Sequence, residues 1–160
     1  MTVGYDRIAE SMGFSHAAVM RTSDFVIVPE YRHYCEENLC GRYGKEPNCP
    51  PEVGAVVDLK EKISGYKRAL VLQMEINAAD KDMDRFYEWQ KAGINSLTEK
   101  MLCIVERCEG KKPLMISAGP WKNSACVSAY CIDCQKMAEH LGMKCWENDD
   151  KLRLFSIILY

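Results

Sequence analysis

Three cysteines fall close together in the segment Cys35-Glu-Glu-Asn-Leu-Cys40-Gly-Arg-Tyr-Gly-Lys-Glu-Pro-Asn-Cys49-Pro-Pro. Thiolates are soft donors that select zinc or iron–sulfur centres. Ligands with four and eight residues between them converge on one centre only if the intervening chain turns tightly, and Gly41 and Gly44 permit such turns. Pro50 directly after Cys49 matches the Cys-Pro closure of many iron–sulfur motifs, where the missing N–H and fixed φ hold the chain at the cluster edge. Cys35, Cys40 and Cys49 are therefore the first candidate ligands. His33, two residues before Cys35, is either a ligand or supporting group or a solvated loop histidine.

A second group follows in Cys126-Val-Ser-Ala-Tyr-Cys131-Ile-Asp-Cys134, with Cys145 further on. Its spacing matches the plant-ferredoxin pattern for a two-iron cluster. Cys131 and Cys134, however, are expected in the first turn of a helix, one turn apart on one face, where the helix N-terminus favours thiolate. Three readings stand side by side: a fourth ligand from Cys126, Cys131 or Cys134, a Cys-x-x-Cys redox pair, and plain packing. Cys103 and Cys108 lie about 140° apart around a helix and cannot clamp one metal together, so both are expected in the core.

The rest of the composition narrows the setting. The 160 residues carry 21 Lys and Arg against 23 Asp and Glu, a formal net charge of -2, which gives no basic field for nucleic acid. The longest apolar stretches, around Ala69–Met74 and Phe155–Tyr160, are far shorter than the ~18–20 residues that span a bilayer. The N-terminus has neither the basic start nor the apolar run of a secretory signal, so a cytoplasmic setting is expected. Thiols stay reduced there, and clustered cysteines mean metal or catalysis more often than disulfides. The odd total of nine cysteines also rules out a complete disulfide framework.

The elements that must position these residues can be read from periodicity and punctuation. A helix is expected from Asp6, as N-cap, to Met12, closed by Gly13. Strands are expected at Ala17–Arg21 and Phe25–Pro29, joined as a hairpin by Thr22-Ser23-Asp24. An irregular cysteine-bearing stretch runs from Arg32 to Pro51, and a helical pattern covers Glu52 to Ile63. Arg68–Ile76 reads as a buried strand. Apolar residues from Met83 through Ile94 and Met101 to Cys108 recur at steps of three and four, marking one face of a long helix closed by Gly110. Strands at Leu114–Ser117 and Arg153–Tyr160 bracket a helix from Cys131 to His140. The whole of 1–160 reads as a single α/β domain, a layered sandwich in which a mixed sheet is packed by helices and bears an irregular cysteine loop.

At Cys35-x4-Cys40-Gly-x-Tyr43-Gly44-Lys45-x3-Cys49-Pro50-Pro51-x-Val53-Gly54 the chain resembles a family of predicted metal-binding proteins common in anaerobes, known as domain of unknown function 2284. Supporting segments are Gly13-Phe14, Tyr66 to Gln73, Ser117-Ala118-Gly119-Pro120 and Phe155 to Leu159. The resemblance implies a cysteine-bound metal centre, with iron–sulfur favoured. It also implies further cysteines just after the Ala-Gly-Pro, where this chain instead carries Cys126, Cys131 and Cys134. The combined reading is a cytoplasmic protein holding an iron–sulfur cluster, four-iron rather than two-iron, through Cys35, Cys40, Cys49 and one further cysteine. Its work would be electron transfer or cluster chemistry with a redox protein or a small-molecule substrate. The alternatives are a zinc-stabilised binding module and a thiol–disulfide oxidoreductase using Cys131 and Cys134.

Overall fold

The structure, a computed structural model, describes residues 2–160. Along the chain run α1 (Tyr5–Met12), β1 (His16–Arg21), α2 (Arg32–Glu36), α3 (Val56–Ser64), β2 (Arg68–Asn77), α4 (Met83–Glu109), β3 (Leu114–Ile116), α5 (Cys134–His140) and β4 (Lys151–Leu159). The strands form one sheet in the order β1-β2-β4-β3. The expected α/β layering stands, but every pairing is antiparallel, so the sheet itself is not mixed.

β2 supplies the reason for the layers. Ala69, Leu70, Val71, Leu72 and Gln73 are all buried, so both faces of the strand need cover. One face takes Ala69 and Val71 with Phe155, Ile157 and Leu159 of β4, packed under Leu59 and Ile63 of α3, Met137 and Ala138 of α5, and the 125–132 loop. The other takes Leu70 and Leu72 with Leu154 and Ile158, covered by Tyr5 and Ala9 of α1 and by Ile94, Met101 and Val105 of α4. Gly110 ends α4 in the left-handed conformation at φ 63°, its N–H donating back to Glu106 O.

Several expectations shift. Phe25–Pro29 is no hairpin strand: β1 pairs with β2, and the segment's backbone bonds go instead to the 131–133 loop, Val28 N to Cys131 O and Asp133 N to Val26 O. Phe25 and Ile27 pack against the core from there. Asp6 is not the cap of α1, because the helix begins one residue earlier at Tyr5 with Gly4 as N-cap. Helix α5 starts at Cys134 rather than Cys131, since Cys131 has φ 55° and cannot begin an α-helix, while the Asp133 side chain caps the Lys136 N–H at 3.0 Å. Cys103 and Cys108 are exposed, not core. The buried stripe of α4 is Lys91, Ile94, Asn95, Thr98, Met101 and Val105, and the next turn brings Glu109 to the Tyr5 hydroxyl.

Candidate metal centre

Three segments bring cysteines within electrostatic reach of one another. The first is α2, which carries Cys35 and continues into a turn. Asn38, at φ 57°, takes a bond from Gly41 N through its backbone oxygen and one from Tyr43 N through its Oδ1, reversing the chain around Cys40. The second is the loop of Cys49, closed by Gly44 N donating to Pro50 O at 2.9 Å and by Val53 N donating to Cys49 O at 3.0 Å. The third leaves β3 and passes Gly119 to Cys126, which forms a bridge with Ser117.

Two polar side chains bind these segments together. Arg32, three residues before Cys35 on α2, donates through Nη1 to Gly54 O at 2.9 Å and through Nη2 to Ala129 O at 3.0 Å. Asn48, beside Cys49, donates through Nδ2 to Lys122 O at 3.0 Å and Ser124 O at 2.6 Å. From behind, α4 holds the third segment: Lys91 is buried against the Gly119 turn and paired with Glu88 at 2.8 Å, and Asn95 bonds Ala118 in both directions.

The electrostatics of the thiols show which of them lie within reach of one another. Burial raises the Cys35 thiol to about 11, and the neighbouring Cys126, Cys131 and Cys40 add to the rise while Arg32 opposes it. Cys49 is raised by burial, then by Cys40 and Glu46, with Cys35 also in reach. Cys126 is raised by burial, with Cys49 and Cys40 acting in the same direction and the backbone N–H groups of Ala129 and Ser128 opposing. All six pairs among Cys35, Cys40, Cys49 and Cys126 are thus within electrostatic reach. Cys49 is buried, Cys35 and Cys126 are half-buried, and Cys40 is exposed. Among the described residues, no three His, Cys, Asp or Glu side chains are grouped so as to hold a single metal ion.

The remaining candidates reach only part of this set, Cys131 lying near Cys35 and Cys134 near Cys126. Cys131 is buried, its thiol raised by that burial and pulled back by a hydrogen bond and the charge of Arg32. Burial raises Cys134 to about 12, with Cys145, Asp133 and Cys126 adding to it. Sitting at the start of α5 therefore does not favour its thiolate, and with Cys131 outside the helix the two thiols do not share a helical face. His33 is exposed and bonded through Nδ1 to Glu30 O. Sequence spacing gave no sign of Arg32 or Asn48 as organisers, because each acts through carbonyls 22 to 97 residues away in the chain.

The donor set fits a thiolate-bound centre on a further ground. Arg32 Nε is buried and has no hydrogen-bond partner, although the guanidinium lies within electrostatic reach of the Cys35 and Cys131 sulfurs. Buried N–H groups in folded proteins find an acceptor, and a sulfur of a bound centre would be one. Among the described residues no helix is long and apolar enough to cross a membrane. In comparison with known proteins, the model of the family described as "Predicted metal-binding protein (DUF2284)" matches residues 18–121, a span that includes Cys35, Cys40 and Cys49 and ends before Cys126. No curated protein and no solved structure matches the chain.

Proposed function

The chain belongs to the DUF2284 family of predicted metal-binding proteins, and from that premise we propose that it holds an iron–sulfur cluster through Cys35, Cys40, Cys49 and Cys126 and passes electrons to or from a redox partner. The observation that carries this reading is the mutual electrostatic reach of those four thiols. A cluster places iron and sulfide atoms between its ligands, so its thiolates need not crowd around one point as they must around zinc. When bound, such a cluster supplies one-electron chemistry at a potential set by charge, hydrogen bonds to sulfur and solvent exposure.

The chain's own residues prepare the site for that group. Thiols must lose their protons to ligate, and burial resists this in Cys35, Cys49 and Cys126. Arg32 and the N–H groups of Ala129 and Ser128 counter it by favouring thiolate at Cys35 and Cys126. Exposed Cys40, next to Leu39 at 87% exposure, leaves one side of the site open to a partner protein or a small substrate.

Anaerobic isolation followed by iron and acid-labile sulfide analysis tests the reading. The expected result is a coloured protein with iron and sulfide in equal amounts. Cys35→Ser, Cys40→Ser, Cys49→Ser and Cys126→Ser should each lose the cluster, while Cys131→Ser and Cys134→Ser keep it. A colourless protein with no iron after reconstitution overturns the proposal, and one zinc per chain replaces it with a zinc-stabilised module.

A further inference from the structure

Arg32 is built into the site in a way that structural anchoring alone leaves incomplete. A guanidinium presents five N–H donors in a fixed planar fork. The two Nη groups are engaged with Gly54 O and Ala129 O, which follow Cys49 by five residues and Cys126 by three. The same Ala129 turns its N–H toward the Cys126 sulfur. Arg32 and Cys35 lie at i and i+3 on α2, hence on one side of that helix. One side chain therefore touches the backbone behind two cysteines and shares a helix face with a third. Its Nε is buried and unpartnered, while the guanidinium as a whole also lies against the Cys131 thiol.

We propose that Arg32 is a positioning residue for the metal centre: its Nε–H donates to a sulfur of the bound cluster, while its Nη groups hold the three cysteine-bearing segments in register. This rests on the iron–sulfur reading given above. A cluster ligated by thiolates is anionic and becomes more so on reduction, so a cation donating an N–H to its sulfur favours the reduced form. Arg32 thus sets the potential as well as the assembly of the site. Lysine would keep the charge but, as a point donor, could not reproduce the fork.

The test uses full-length wild type, Arg32→Lys, Arg32→Gln and Cys131→Ala, reconstituted anaerobically with iron and sulfide and compared by far-UV circular dichroism. Two quantities are read: the rate of iron loss to a chelator, and the midpoint potential in a dithionite titration, where dithionite supplies the one electron taken up. Arg32→Gln should lose iron at least tenfold faster and favour the reduced state about tenfold less, ~59 mV for one electron. Arg32→Lys should also lose iron faster but recover much of the potential. Should Arg32→Gln fail to fold, Arg32→Lys carries the comparison through the same two readouts. Loaded, folded variants with wild-type potential and wild-type iron retention overturn the inference while leaving the iron–sulfur reading intact. Cys131→Ala reproducing the potential shift of Arg32→Gln overturns it as well, because the donor then serves Cys131. Wild type that takes up neither iron nor sulfide overturns the underlying reading, and this inference with it.

Discussion

Asn95 and Ala118 exchange two hydrogen bonds, Asn95 Nδ2 donating to Ala118 O at 2.8 Å and Ala118 N donating to Asn95 Oδ1 at 2.9 Å. The pair is fully enclosed, and it fixes the start of the segment that runs from β3 to Cys126 against α4. Asn95→Ala leaves a buried N–H and a buried C=O without partners, at ~1–3 kcal/mol for each. Urea unfolding should show the lowered midpoint with an unchanged slope. Iron retention should fall too, because the Cys126 segment loses its rear support; a variant as stable as wild type sinks the assignment.

Asn48 makes a different prediction, since its side-chain hydrogen bonds join two ligand loops. Its Nδ2 donates to Lys122 O and Ser124 O, so the Cys49 loop is tied to the approach to Cys126. Asn48→Asp keeps the shape and replaces both donors by a carboxylate facing two carbonyls. Chelator competition should show metal lost several-fold faster, with a stability change of ~1–3 kcal/mol. Equal loss rates in Asn48→Asp and wild type would mean that the loops are held by something else.

Thiol labelling separates ligands from bystanders without any substitution. Cys40, Cys103 and Cys108 are exposed, whereas Cys49 and Cys131 are buried. In metal-free protein the exposed three should be alkylated first by iodoacetamide, as resolved by peptide mass spectrometry. After reconstitution with iron and sulfide, Cys40 should become protected while Cys103 and Cys108 go on reacting. Cys40 labelled at the same rate in both states is not a ligand.

The turn at Gly119 offers a stability test close to the site. Gly119 has φ 65°, and a Cβ there would meet Lys91 Cδ at 2.6 Å. Lys91 is buried and held by Glu88, so it has little room to withdraw. Gly119→Ala combines a left-handed backbone, at ~1–3 kcal/mol, with that collision. Thermal unfolding should show the loss, and Lys91→Ala in the same chain should return the part due to the collision. No recovery in the double variant would put the whole cost on the backbone.

The layered α/β arrangement was legible because the periods were clean. The long apolar run of β2 and the three-and-four stepping of α4, stopped by Gly110, need no tertiary information to be read. The Phe25–Pro29 segment misled because its apolar residues do enter the core, yet its backbone pairs with the 131–133 loop rather than with β1. The nearness of Cys35, Cys40 and Cys49 to one another was legible from spacing and from the glycines and prolines between them. How Cys126, Cys131 and Cys134 lie relative to that group was not, since it depends on the left-handed backbone at Cys131 and on how the loops fold. Arg32 and Asn48 left no local signature, because a side chain that holds remote carbonyls looks like any polar loop residue.

Glu75 supplies the pH prediction. It sits opposite Arg153 in the β2–β4 register and accepts from Arg153 Nε at 2.8 Å and Lys151 Nζ at 3.1 Å. Those hydrogen bonds, Arg153 first and Lys151 second, hold its carboxyl below the usual 4.5 in the folded chain. A carboxyl with a depressed folded value contributes stability that is fully present above its unfolded value and is lost as pH falls through the folded one. Wild type should therefore be more stable than Glu75→Gln at neutral pH, and the gap should close on acidification below about pH 5. Asp149 is also held low, by its hydrogen bond from Arg153, and remains in the variant, so its contribution largely cancels in the difference. Melting temperatures of the two proteins across pH 3–7 check this. A gap that stays constant with pH would show that Glu75 acts through packing of its stem and not through its charge.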